Sequence, residues 1–91
     1  MTYDLEFTDF AIEDIRRLKI DDRKAYEKLQ RLLLELMDHP KTGTGKPKML
    51  RHNYSGCYSR RVSQKHRLVY RIEEERITVL VLSVSGHYDD K

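Results

Sequence analysis

The sequence predicts an α+β fold: an N-terminal strand and two helices, then an antiparallel meander of three to four strands packed on those helices. Three observations carry this. Apolar residues alternate with acids over Tyr3 to Phe7, they recur at helical spacing over residues 10–37, and from Cys57 onward the period returns to two. The chain has 91 residues and 10.9 kDa, which is one domain spanning 1–91.

Tyr3, Leu5 and Phe7 stand against Asp4 and Glu6, the pattern of a half-buried first strand. Thr8 or Asp9 then offers a side-chain oxygen to the free N–H groups of a first helix whose apolar positions are Phe10, Ala11, Ile15 and Leu18. Asp21-Asp22 opens a second helix with a stripe of Tyr26, Leu29, Leu33, Leu36 and Met37, beside Leu32, and Pro40 ends it. Both stripes read as core. Lys41 to Lys48 (KTGTGKPK) reads as a loop because two glycines and a proline break any period; no strand precedes it and no Gly-Lys-Ser/Thr follows, so it is not a nucleotide-phosphate loop. Tyr58 to Val62 reads as a short strand. Arg67 to Ile72 alternates Arg67, Val69 and Arg71 with Leu68, Tyr70 and Ile72, which places the first three on a solvent-exposed face and the others against the helices. Glu73-Glu74-Glu75 makes a polar turn, and Ile77 to Val84 is a nearly continuous apolar strand, central in the sheet.

Hydrophobic residues are 38% of the chain and charged residues 36%. With the apolar residues in periodic blocks, a small core is expected, stable by only about 5 kcal/mol, so the domain leans on a partner or on a second copy of itself. There is no apolar run of about 18 residues, and the start Met1-Thr2-Tyr3-Asp4 is not a secretory signal, so a cytoplasmic location is expected. The lone Cys57 allows no internal disulfide and no cysteine-based zinc site, and the four histidines lack metal-ligand spacing; no metal or cofactor is expected.

The net charge of +3 conceals a division. Residues 1–40 hold ten acids against seven Lys and Arg, and residues 41–91 hold eleven Lys and Arg against five acids. From Lys41 to Arg71 there are nine basic residues and no acid at all. A solvated face mixes both signs; an unopposed block of this length points to a polyanion, with nucleic acid first. After the last strand comes Gly86-His87-Tyr88, which sets a proton donor or acceptor and a stacking ring at the rim of the sheet. His66 starts a strand and reads as a satisfied polar residue, and His39 lies at a helix end, where a capping role is expected.

Gly45 to Asn53 (GKPKMLRHN), Ser55-Gly56, Tyr58 to Val62 (YSRRV), His66 to Tyr70 (HRLVY) and finally His87-Tyr88 resemble, in order, the YoeB/Txe family of bacterial toxins within the RelE superfamily. The resemblance implies a RelE-like fold and a ribosome-dependent mRNA endonuclease that cuts the codon in the ribosomal A site. It also implies a cognate antitoxin of the YefM/Phd type, with operator DNA met only through that antitoxin and no membrane contact. Carried over by position, Arg67 matches the family's phosphate-stabilising arginine, His87 its general acid and Tyr88 the aromatic that orients the nucleotide. Arg51 and Arg61 match residues that hold RNA backbone. Lys46, His52 and Arg60, from the same acid-free block, are counted with them as RNA contacts.

One position departs from the family. Between Pro47 and Met49 the family usually has a glutamate, its general base, and this chain has Lys48. A lysine with a reference pKa of about 10.4 is charged at neutral pH. Three readings stay open: Lys48 is the base, Lys48 only binds phosphate, or the enzyme is weakened and the protein acts chiefly as a ribosome-, RNA- or antitoxin-binding partner.

Overall fold

The computed structural model describes residues 2–51 and 56–86; His52, His87 and Tyr88 lie outside that set. The elements run β1 (Asp4–Phe7), α1 (Asp9–Asp21), α2 (Arg23–Asp38), β2 (Lys48–Met49), β3 (Cys57–Arg61), β4 (Arg67–Glu73) and β5 (Thr78–Ser85), with one 3-10 turn, Glu74–Arg76, between the last two. The Thr8 hydroxyl caps α1 by accepting from the Ala11 N–H at 3.0 Å, and the Asp22 carboxylate caps α2 by accepting from Ala25 at 3.1 Å. Asp22 also ends α1, so the two helices meet at a single residue.

The five strands form one sheet in the order β1-β5-β4-β3-β2. β2 to β5 are the expected antiparallel meander, while β1 closes the sheet by pairing parallel with β5, Leu5 opposite Val79. Both helices cover one face. Ala11, Leu18, Ala25, Leu29, Leu32 and Leu36 from the helices bury against Leu68, Tyr70, Val79, Val81 and Val84 from the sheet.

Three expectations change. Lys48 does not end the loop but, with Met49, forms a two-residue edge strand on β3. β5 is interior but second from the edge, and β4 is the middle strand. The face turned away from the helices is not wholly solvated: Val69 is 2% exposed and packs with Leu50, Cys57 and Leu82 in a second small cluster. That cluster explains why β5 reads as continuously apolar. A bulge lets Val69 pair with Ser83 while Tyr70 pairs with Val81, so Leu82 is an extra residue turned to the distal face.

Arg60 overturns a fourth expectation. Alternation along β3 turns it toward the helices, where it is 0% exposed. Its guanidinium spends all five N–H donors inside the protein. Nε donates to Tyr70 Oη at 3.0 Å, Nη1 to Glu35 Oε1 at 2.6 Å and to the Thr44 carbonyl at 3.2 Å, and Nη2 to the Thr42 carbonyl at 2.7 Å and to the His39 carbonyl. Tyr70 Oη in turn donates to the Pro40 carbonyl at 2.7 Å. Arg60 is therefore a structural residue and contacts no RNA. It pins the segment from His39 to Thr44 onto β3 and β4. Gly43 is required there: at φ +115 its absent Cβ would lie 2.4 Å from Glu35 Oε1.

Removing the guanidinium strands the half-buried Glu35 carboxylate and several carbonyls. Arg60→Met is expected to cost roughly 3–5 kcal/mol, most of the stability of so small a domain, measured by urea unfolding. Arg60→Lys is expected to rescue little, since three donors cannot serve these acceptors. Burial pushes the Glu35 carboxyl pKa up, but the Thr44 backbone N–H, the Thr44 hydroxyl and Arg60 outweigh it and hold it below its ordinary value. A depressed folded pKa stabilises the protein above the ordinary carboxylate value and the gain is lost as pH falls through the folded one. Glu35→Gln is thus expected to flatten the acid limb of stability against pH, below its ordinary value of 4.5.

Ile77, a β-branched residue, sits in the left-handed region at φ 49, ψ 51, which costs about 1–2 kcal/mol. Its carbonyl accepts from the Asp4 N–H at 3.0 Å, fixing the β4–β5 hairpin to β1. Ile77→Asn is expected to raise the melting temperature by several degrees, about 1 kcal/mol; a lower melting temperature would contradict this.

Candidate nucleic-acid interface

Because side chains alternate along each strand, register decides which cations share a surface. Lys48 pairs with Ser59, and Ser59 with Val69. Arg61 pairs with Arg67, and Arg67 with Ser85. Lys48, Arg61, Arg67 and Arg71 therefore share the face turned away from the helices, as the alternation of β4 predicts for Arg67 and Arg71. Gly45, whose carbonyl accepts from the Arg61 N–H at 2.8 Å, and Lys46, exposed at φ 52, border this surface where the loop meets β3. Arg51 is exposed just past β2.

The charges on this face are not balanced internally. Arg71 is paired with Glu73 at 3.1 Å. Among the described residues, no carboxylate pairs with Lys46, Lys48, Arg51, Arg61 or Arg67. Arg61 and Arg67 are direct cross-strand neighbours, which puts their Cβ atoms about 5 Å apart, and like charges so placed repel. An anion lying between them would relieve that repulsion and accept bidentate hydrogen bonds from both. In the helical half, three of the seven Lys and Arg, Arg16, Arg17 and Arg23, each lie within 4.0 Å of a glutamate on their own helix.

Of the residues expected at the site, the fold brings Lys48, Arg61 and Arg67 together, leaves Lys46 and Arg51 at the margin and removes Arg60 to the interior. His52, His87 and Tyr88 fall outside the described residues, although β5 ends at Ser85, opposite Arg67, only two positions before His87. His66 is held by Ser63, whose hydroxyl lies 2.9 Å from Nδ1, and His39 is the residue that closes α2. Both match their expected structural roles. Ser59, at the centre of the face, was not anticipated; the parity it shares with Arg61 is the signal that marks it. Another hollow, lined by Asp14, Arg17, Asp21, His66 and Val84, carries two carboxylates and suits a phosphate poorly. Among the described residues, no group of three or more His, Cys, Asp or Glu is arranged to hold a metal ion, and no helix is long and apolar enough to cross a membrane.

Comparison with known proteins gives this basic face a context. Residues 7–88 match the family model described as the YoeB-like toxin of bacterial type II toxin-antitoxin systems. The chain is 38% identical over 76 residues to Toxin YoeB of Mycobacterium bovis, covering 84% of this chain and 89% of that one. Its structure is similar to the YoeB/ParE toxin from Agrobacterium tumefaciens, with TM-score 0.87 and 29% identity over 93% of this chain and 99% of that one. It is also similar to a chain of the heterotetrameric YoeB-YefM toxin-antitoxin complex from Staphylococcus aureus, with TM-score 0.80 and 31% identity over 97% and 100% of the two chains. With its family model matched over residues 7–88, and its RelE-like sheet and helices reproduced in solved relatives, this chain belongs to the YoeB-like toxins of bacterial type II toxin–antitoxin systems.

Proposed function

We propose that this toxin is a ribosome-dependent mRNA endonuclease that cuts the A-site codon and so stops translation. The observation that carries the reading is the cross-strand pair Arg61–Arg67, which no carboxylate among the described residues compensates, with Lys48 on the same face. RNA supplies its own nucleophile. The 2′-oxygen forms a bond to the adjacent phosphorus while the bond from phosphorus to the 5′-oxygen breaks. A proton leaves the 2′-OH and another reaches the departing 5′-oxygen, giving a 2′,3′-cyclic phosphate and a 5′-OH without a metal. Arg67 stabilises the charge gathering on the phosphorane oxygens, Arg61 and Arg51 hold backbone phosphates with Lys46 and His52, His87 protonates the leaving oxygen, and Tyr88 stacks on the nucleotide. Lys48 takes the 2′-OH proton, in the position where the family pattern has a glutamate.

The same face explains partner choice. An antitoxin of the YefM/Phd type covers it with an acidic, amphipathic segment, and operator DNA is met through that antitoxin; a second copy of the toxin joins the assembly. A cytoplasmic site of action follows from the ribosome as target.

The test is end-mapping of an mRNA incubated with the purified protein, with and without ribosomes paused on a defined codon. Cuts confined to the A-site codon and dependent on ribosomes are expected. Arg67→Ala or His87→Ala is expected to slow them by about 10²-fold or more. Lys48→Arg is expected to slow cutting about 10²-fold or more, because a guanidinium cannot accept the proton, while Lys48→Glu retains it. Ribosome binding without cleavage would overturn the endonuclease reading, and full activity of Lys48→Arg would make Lys48 a phosphate contact only.

A further inference from the structure

Ser59 is 0% exposed, and its hydroxyl is the only buried side-chain polar atom among the described residues with no hydrogen-bond partner. Such a group is disfavoured in a folded protein unless something outside the resting structure uses it. Its location says what does. Ser59 is the register partner of Lys48 across β2–β3, on the face that also carries Arg61 two residues along the strand and Arg67 on the diagonal. Directly opposed side chains on one face have Cβ atoms about 5 Å apart, within reach of a lysine stem folded back on its neighbour. Lys48 Nζ has no carboxylate or other hydrogen-bond acceptor among the described residues, and Ser59 Oγ has two lone pairs and receives no donor. Neither group satisfies the other in the resting protein, where Lys48 is exposed.

We propose that Ser59 is the positioning residue of Lys48: on substrate binding, Lys48 folds over β3 and donates an Nζ–H to Ser59 Oγ, which aims the one lone pair of the amine that takes the proton toward the ribose 2′-OH. The inference rests on Lys48 acting as the base. It gives the lysine the orientation that a carboxylate would obtain from its own two oxygens. Because the hydroxyl is buried, Ser59 acts through Lys48 and touches no RNA.

The experiment is a double-mutant cycle on single-turnover cleavage of ribosome-bound mRNA. Ser59→Ala is expected to lower the cleavage rate roughly 10- to 100-fold, without weakening binding of a non-cleavable mRNA carrying a 2′-deoxy scissile position, and without lowering the melting temperature, since no existing hydrogen bond is lost. In a Lys48→Ala background the same substitution is expected to change nothing further. Multiplicative losses from the two substitutions, a lower melting temperature or an unchanged rate in Ser59→Ala would each overturn the assignment. Wild-type protein that binds ribosomes without cutting would overturn the functional reading itself, a result separate from cleavage that ignores Ser59.

Discussion

The buried guanidinium of Arg60 is the interaction on which the rest of this small structure depends. It connects the end of α2, through Glu35 and His39, to the following loop, through Thr42 and Thr44, and to β4, through Tyr70. A cation placed in a protein interior is tolerable only when every donor is met, and here three of the five acceptors are carbonyls of a segment with no regular structure of its own. The loop therefore holds its shape because the arginine requires it to, and the arginine stays buried because the loop supplies carbonyls. The chain leaving that loop enters β2, so the placement of Lys46 and Lys48 is inherited from the same pin.

One residue further on, the parity of the strand reverses the chemistry. Arg60 faces the helices and is neutralised; Arg61 faces away and is set against Arg67. The fold thus sorts two adjacent arginines into a buried and an outward-facing position by alternation alone. Repulsion between Arg61 and Arg67 disfavours the free protein, and under the proposed function an RNA phosphate or an acidic antitoxin segment would relieve it. Around them the distal face is kept rigid by the small cluster of Leu50, Cys57, Val69 and Leu82, which seats cations on packed strands and not on loops.

Much of this was legible in the residues. The helices announce themselves through Thr8, Asp22 and the leucine stripe of α2, and alternation in β4 puts Arg67 and Arg71 on one face. The same alternation in β3 groups Tyr58 with Arg60, facing the helices, yet the charge of Arg60 within an acid-free block argues for RNA. Its true partners are mainly backbone carbonyls, which leave no mark in a sequence. The two-residue β2 is too short to show a period beside Pro47. The parallel pairing of β1 with β5 joins residues over 70 positions apart, and the bulge at Leu82 depends on tertiary packing. Which cations share the distal face was readable wherever strand parity governs it, and not where the outcome turns on what the loop carbonyls require.

The central claim is that the distal face of the sheet meets RNA while Arg60 stays locked in the interior. Side-chain NMR of the arginine Nε–H groups during addition of a short RNA tests it most directly. The Arg61 and Arg67 signals should shift on binding, with the Arg60 signal slow to exchange and unmoved. Movement of Arg60 together with the others, or shifts confined to Arg16, Arg17 and Arg23 on the helices, would contradict the account.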